Sequence, residues 1–192
     1  MMERLGKIDK RNIYYFRWDD EKREYYLENF PKRKWALFVI GAGRLDEDYK
    51  LLAEKSVVEN LIFMSSAGDE CELIHDIFDR VVIQKVKDSG ADMDAPDIFE
   101  DTAMTVWNTN KFDWGYWAAT IDDYCDEKVK ILICVDFTKR GVRKYLLRLT
   151  KMIRKRWLPP SGPKGTLTFN EPLYDDEIKK PLRKSQKGFE KH

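Results

Sequence analysis

The chain is poor in the residues on which most catalytic and metal chemistry depends. Among 192 residues the only histidines are His75 and His192. His75 stands beside Asp76, with Asp79 one helical turn on, and one imidazole among scattered acids makes a poor metal site. The expectation is a helix-surface histidine and no metal. Cysteine is equally sparse: Cys71, Cys125 and Cys134 are widely spaced and form no CxxC pair. That spacing excludes a disulfide framework and a structural zinc site, and it fits reduced thiols in the cytoplasm. Long apolar runs are missing, since none approaches the roughly 20 residues of a membrane span. The opening MMERLGKIDKR has no apolar h-region of a signal peptide. A cytoplasmic protein without a membrane segment is expected. Charge of one sign is lacking too: 35 basic residues stand against 34 acids, for a net charge of +1, so no long-range field selects a partner class. Glycine-rich phosphate motifs are incomplete. Gly41-Ala42-Gly43 opens like a dinucleotide fingerprint, but the third glycine would fall at Asp46, where an acid repels pyrophosphate. There is no P-loop and no G-x-S-x-G nucleophile elbow, so no cofactor and no nucleophilic machinery are expected.

What the chain does have is a strong α/β pattern, centred on residues 130–157. Ile131 to Val135 form an unbroken apolar run, which suits a strand covered on both faces. Val142, Tyr145, Leu146, Leu149, Met152 and Ile153 then recur at helical spacing and form one face of an amphipathic helix. Its other face carries Arg143, Lys144, Arg148, Lys151, Arg154 and Lys155. Pro159 and Pro160 stop it.

The rest of the chain repeats the theme. Trp35–Ile40 reads as a buried strand, Asp46–Val58 as a helix closed by Asn60, and Leu61–Met64 as a short strand followed by Ser65, Ser66, Ala67 and Gly68. Asp69 and Glu72 resemble a capping box opening a helix with Leu73, Ile74, Ile77 and Phe78 inside. Val81–Val86 reads as a further strand or as the end of that helix, and its β-branched residues favour the strand. Ala103–Trp107 is another strand, and Asp113 caps a helix reaching about Tyr124. Before all of these, residues 12–18 and 24–30 are short and aromatic, and they predict an N-terminal β-hairpin. Alternation of strands and helices argues a Rossmann-like three-layer α/β sandwich of about five mostly parallel strands, as one domain over residues 1–158. From residue 159 prolines gather and apolar residues thin out, which predicts an extended arm with a disordered basic tip.

Several residues invite a functional reading. If the strands run as expected, Gly41, Gly43, Ser65, Ser66, Asn108, Asp136 and Thr138 collect beyond the strand carboxyl ends, where α/β sheets bind ligands. The dense aromatics Trp107, Trp114, Tyr116 and Trp117 suit core packing. The acids between Asp88 and Asp101 lack the order of a calcium loop and read as a solvated or acidic contact surface. The basic helix face of Arg143, Lys144, Arg148, Lys151 and Lys155 lacks the interleaved aromatics of single-strand readers, so a protein partner or no partner is expected there, and not nucleic acid.

Residues 104–118, MTVWNTNKFDWGYWA, resemble an uncharacterised bacterial α/β domain family whose strand ends Thr-x-Trp-His and leads to a tryptophan-bearing helix. Thr105 and Trp107 match that pattern, and Asn108 stands in place of the histidine. The resemblance implies an α/β fold over the middle of the chain and brings no established activity. The functional expectation is a non-enzymatic interaction module, such as an immunity-type protein that neutralises a toxin. The alternative is an enzyme or sensor that holds a nucleotide or similar small ligand at the strand carboxyl ends.

Overall fold

The computed structural model describes residues 2–19, 21–92, 102–108, 112–121, 129–139 and 141–159. The elements in chain order are β1 (Glu3–Ile8), β2 (Arg11–Arg17), α1 (Arg23–Glu28), β3 (Trp35–Gly41), α2 (Asp46–Val58), β4 (Leu61–Gly68), α3 (Cys71–Asp88), β5 (Met104–Asn108), α4 (Phe112–Thr120), β6 (Ile131–Asp136) and α5 (Arg143–Ile153). The strands form one six-stranded sheet in the order β1-β2-β6-β3-β4-β5. Only the β1–β2 pair is antiparallel; the other neighbours are parallel.

The layers follow from the apolar patterns. All seven residues of β3 are buried, as the unbroken run WALFVIG requires of a strand covered on both faces. One core lies under α1, α2 and α3 and contains Trp35, Leu37, Tyr49, Leu52, Ile74, Phe78 and Phe137. The other lies under α4 and α5 and contains Leu5, Ile13, Phe38, Tyr116, Leu146 and Leu149. Fully burying a side chain such as Leu146 stabilises the fold by about 1.5–3 kcal/mol. Arg11, 1% exposed, is the largest buried cation. Its guanidinium donates to the carbonyls of Ala119 and Ile121 at 3.1 and 3.3 Å. These are carbonyls at the α4 C-terminus, where the helix leaves acceptors unpaired and favours positive charge.

Five expectations are corrected. The N-terminal strand pair exists, but β2 pairs backward with β1 through a two-residue loop at Asp9-Lys10, and Asp9 takes a left-handed φ of 46°. Residues 24–30 are no strand: α1 covers Arg23–Glu28 and buries Tyr26 and Leu27. Residues 81–86 are the second half of α3, because Ile74, Phe78, Val82 and Val86 recur every four residues along its buried face. Packing overrules the β-branched propensity there. The N-cap position of α3 is Glu70, not Asp69, and no side chain caps it. Finally, β4 runs on through Gly68, so Ser65 and Ser66 lie within the strand and not beyond it. The predicted arm after Pro159, most of the acidic stretch before β5, Cys125 and the end of the helix predicted to Tyr124 lie outside the described residues.

Candidate functional site

The strand carboxyl ends do meet at one edge of the sheet. Gly41 pairs with Gly68, Ile40 with Asp136, and Ala67 with Asn108. The proposed crevice residues thus share an edge, and the fold itself uses their polar groups. Asp136, fully buried, accepts the Thr138 amide on Oδ1 at 2.8 Å. Its Oδ2 accepts the Val142 amide at 2.8 Å and the Tyr15 hydroxyl at 2.7 Å. Thr138 Oγ1 accepts the Gly141 amide at 3.0 Å. One carboxylate therefore folds the loop that launches α5. Burial, and then the charge of Asp136, push the Tyr15 phenol well above its usual pKa.

The glycines at this edge answer to close packing. A Cβ on Gly41 would lie 2.3 Å from Ile74 Cδ1, and one on Gly68 2.3 Å from the Gly41 carbonyl oxygen. Tyr49 donates to Glu70 just above them. Gly43 differs, with φ of 60° and open space around it, as a turn requires. Ser65 and Ser66, both fully buried, point to opposite layers. Ser66 Oγ donates to the Cys71 carbonyl at 2.8 Å and ties β4 to the start of α3. Ser65 Oγ accepts from Asn108 Nδ2 at 3.3 Å on the α4 side. A Cβ on Gly115 would lie 3.0 Å from Asn108 Nδ2, so this glycine lets α4 close over the pair.

The basic face of α5 is divided by its partners. Arg143 forms a two-pronged ion pair with Glu3. Arg148 is half-buried, and its charge acts on Asp113, which lies buried in α4 and accepts the Tyr145 hydroxyl. Lys144, Lys151, Arg154 and Lys155 remain as the exposed cations. Asp113, read from sequence as a helix cap, is instead a buried acceptor between α4 and α5. Its pKa is raised by burial, against the lowering effects of the Tyr145 bond and Arg148.

Sequence reasoning missed a surface at the far end of the sheet. His75 and Asp79, four apart on α3, face Thr105 and Trp107, two apart on β5. Thr105 Oγ1 donates to Asp79. The His75 and Trp107 rings lie 4.3 Å apart at 55°. His75 Nε2 is 3.5 Å from Asp79 Oδ2, and its Nδ1 is 3.6 Å from Asp76 Oδ1. Trp107, expected in the core, is 48% exposed, and Met104 is 57% exposed. His75, expected on the surface, is largely covered by this contact. The helical spacing of 75 and 79 and the alternation of 105 and 107 were readable; that the two elements adjoin was not. A groove of about 740 Å³ also runs between α2 and α3, with Val57, Ile77 and Val81 among its lining residues. Among the described residues, no three potential metal ligands cluster and no helix is long and apolar enough to cross a membrane.

Fold and edge together define a mostly parallel α/β sandwich with internal hydrogen bonds at its strand carboxyl ends. The chain belongs to the family described as Domain of unknown function (DUF7684), whose model matches residues 13–153. No curated protein matches the chain.

Proposed function

We propose that this protein is a non-catalytic interaction module that docks an acidic surface of a partner protein through the outer face of α5. An immunity-type protein that neutralises a toxin is its concrete form. The observation that supports it is the use of the carboxyl edge. Asp136, Ser65, Ser66, Asn108 and Thr138 are each spent on bonds that hold loops and helices in place. A surface with exposed Lys144, Lys151 and Lys155 is ready for complementary charge, which steers and orients protein association.

The test has a binding arm and two counter-arms. The full chain and a Lys144→Glu, Lys151→Glu, Lys155→Glu variant are each titrated with the protein encoded beside its gene. The expected result is a complex that weakens with salt and is lost in the variant. A thermal shift with any member of a nucleotide panel, worth roughly 2.7 kcal/mol at 100 times the dissociation constant, would overturn the reading in favour of a small-ligand crevice. Salt-steep binding to generic DNA or RNA, abolished by the same variant, would overturn it in favour of nucleic acid.

A further inference from the structure

We infer that the outer edge of β5 is a strand-docking site for an extended, basic segment of another protein. The two ends of the sheet are built differently. At one end β1 carries Glu3, Arg4 and Lys7, and its register shifts between Arg4 and Gly6. Charges and bulges on an edge strand are what keep a sheet from pairing with a stray strand. At the other end β5 reads MTVWN, with no charge, no proline and no glycine, and its pairing with β4 runs without a shift. Among the described residues, nothing pairs with its outer side.

The side chains beside that edge say what would sit there. Met104 and Trp107 are among the exposed large hydrophobics of the described residues. Trp107 packs on His75 of α3, whose imidazole lies 3.5 Å from Asp79 and 3.6 Å from Asp76, and the Asp76 side chain is 69% exposed. An exposed indole with two carboxylates around its histidine neighbour suits a lysine or arginine, held by the ring face and by charge together. The sequence leading into the strand, residues 88–101, is rich in acids and has no lysine or arginine. A second copy offers acids beside this edge as well, at Asp76 and Asp79, so a heterologous basic strand is the better occupant. Main-chain hydrogen bonds would supply its affinity and the alternate side chains its selectivity.

This surface lies on the sheet's far end from β1, against which α5 packs, so its test is separate from that of the α5 reading. The full chain is titrated with three labelled ten-residue peptides and followed by fluorescence anisotropy. One peptide alternates lysine with valine and threonine. The second replaces each lysine with glutamate. The third is the basic peptide with alternate backbone amides methylated. The basic peptide should bind at least about tenfold more tightly than either of the others, and Trp107→Ala and Asp76→Lys should each weaken it about tenfold. Absence of binding, equal binding of the methylated peptide, or indifference to both substitutions would overturn the proposal. So would self-association in sedimentation that Trp107→Ala abolishes, which would give the edge to a second copy. Circular dichroism of both variants guards against a simple loss of fold. A partner complex at α5 that survives Asp76→Lys would leave that other reading standing whatever the peptides do.

Discussion

Asp136, at a strand carboxyl end, holds a loop together through its carboxylate. Three donors converge on its carboxylate, from Tyr15, Thr138 and Val142, and all are buried. Asp136→Ala leaves them unpaired, at about 1–3 kcal/mol for each buried polar group stranded. We expect a loss of roughly 3–5 kcal/mol in urea unfolding, in the range seen when a buried charge network is broken. Tyr15→Phe, which removes one donor, should cost much less. Equal losses would mean that the Tyr15 bond carries the loop alone. Asp113 makes a contrasting case through its pKa. Burial raises that pKa in the folded protein, so the folded state binds a proton more tightly than the unfolded chain, whose carboxyl titrates near about 3.9. The stabilisation is complete below that value and is lost as pH rises through the folded pKa. Asp113→Asn still offers Tyr145 an acceptor but does not titrate. Its urea midpoint should therefore gain on that of the natural protein from about pH 4 to neutrality. Parallel curves would show that Asp113 ionises in the fold as it does in the unfolded chain.

At the scale of elements, α3 packs tightly on the end of β3, and the end of β4 packs tightly on that same end of β3. A Cβ on Gly41 would meet the flexible end of Ile74, whereas one on Gly68 would meet a backbone carbonyl and would also sit at φ of 96°. Gly41→Ala should cost about 1–3 kcal/mol and be partly rescued by Ile74→Val, which shortens the blocking side chain. Gly68→Ala should cost roughly 2–4 kcal/mol and gain nothing from Ile74→Val. Thermal melts of the four variants decide it: rescue of both, or of neither, would refute the geometry. Elements of this kind were legible in the sequence to differing degrees. The strands β3 and β6 and the helices α2 and α5 were read nearly whole, because burial on both faces or on one helical stripe writes a periodic pattern. β1 was missed because ERLGKI is polar and contains glycine, and its pairing is a matter of the partner. The β-branched end of α3 misled because propensity is weaker than packing. The edge of the candidate site could be read from strand order, but its closure could not, since Tyr15 and Asp136 meet across 121 positions of sequence.

For the whole molecule, the question is which terminal segment the two cores need. The family match begins at residue 13 and so leaves β1 outside it. Yet β1 contributes Leu5 and Ile8 to the core beneath α5, pairs along β2, and holds Arg143 through Glu3. Gly6 also lies close under α5, where an added Cβ would stand 3.4 Å from Thr150. At the other end, the last described side chain that packs with the apolar clusters is Trp157, followed by exposed Leu158 and buried Pro159. Removing residues 1–9 should therefore cost roughly 3–6 kcal/mol, from the burial of two large aliphatic side chains alone, and should bare the apolar side of α5. Removing residues 160–192 should change stability by no more than about 1 kcal/mol and leave one cooperative transition, as a stretch poor in large apolar residues and rich in proline and charge predicts. Urea unfolding of both truncated chains beside the full one checks the contrast. A large loss on removing residues 160–192 would mean that this segment supplies part of a core. A negligible loss on removing residues 1–9 would mean that α5 is held by β2 and β6 without the edge strand, and that the span of the family match is the folding unit.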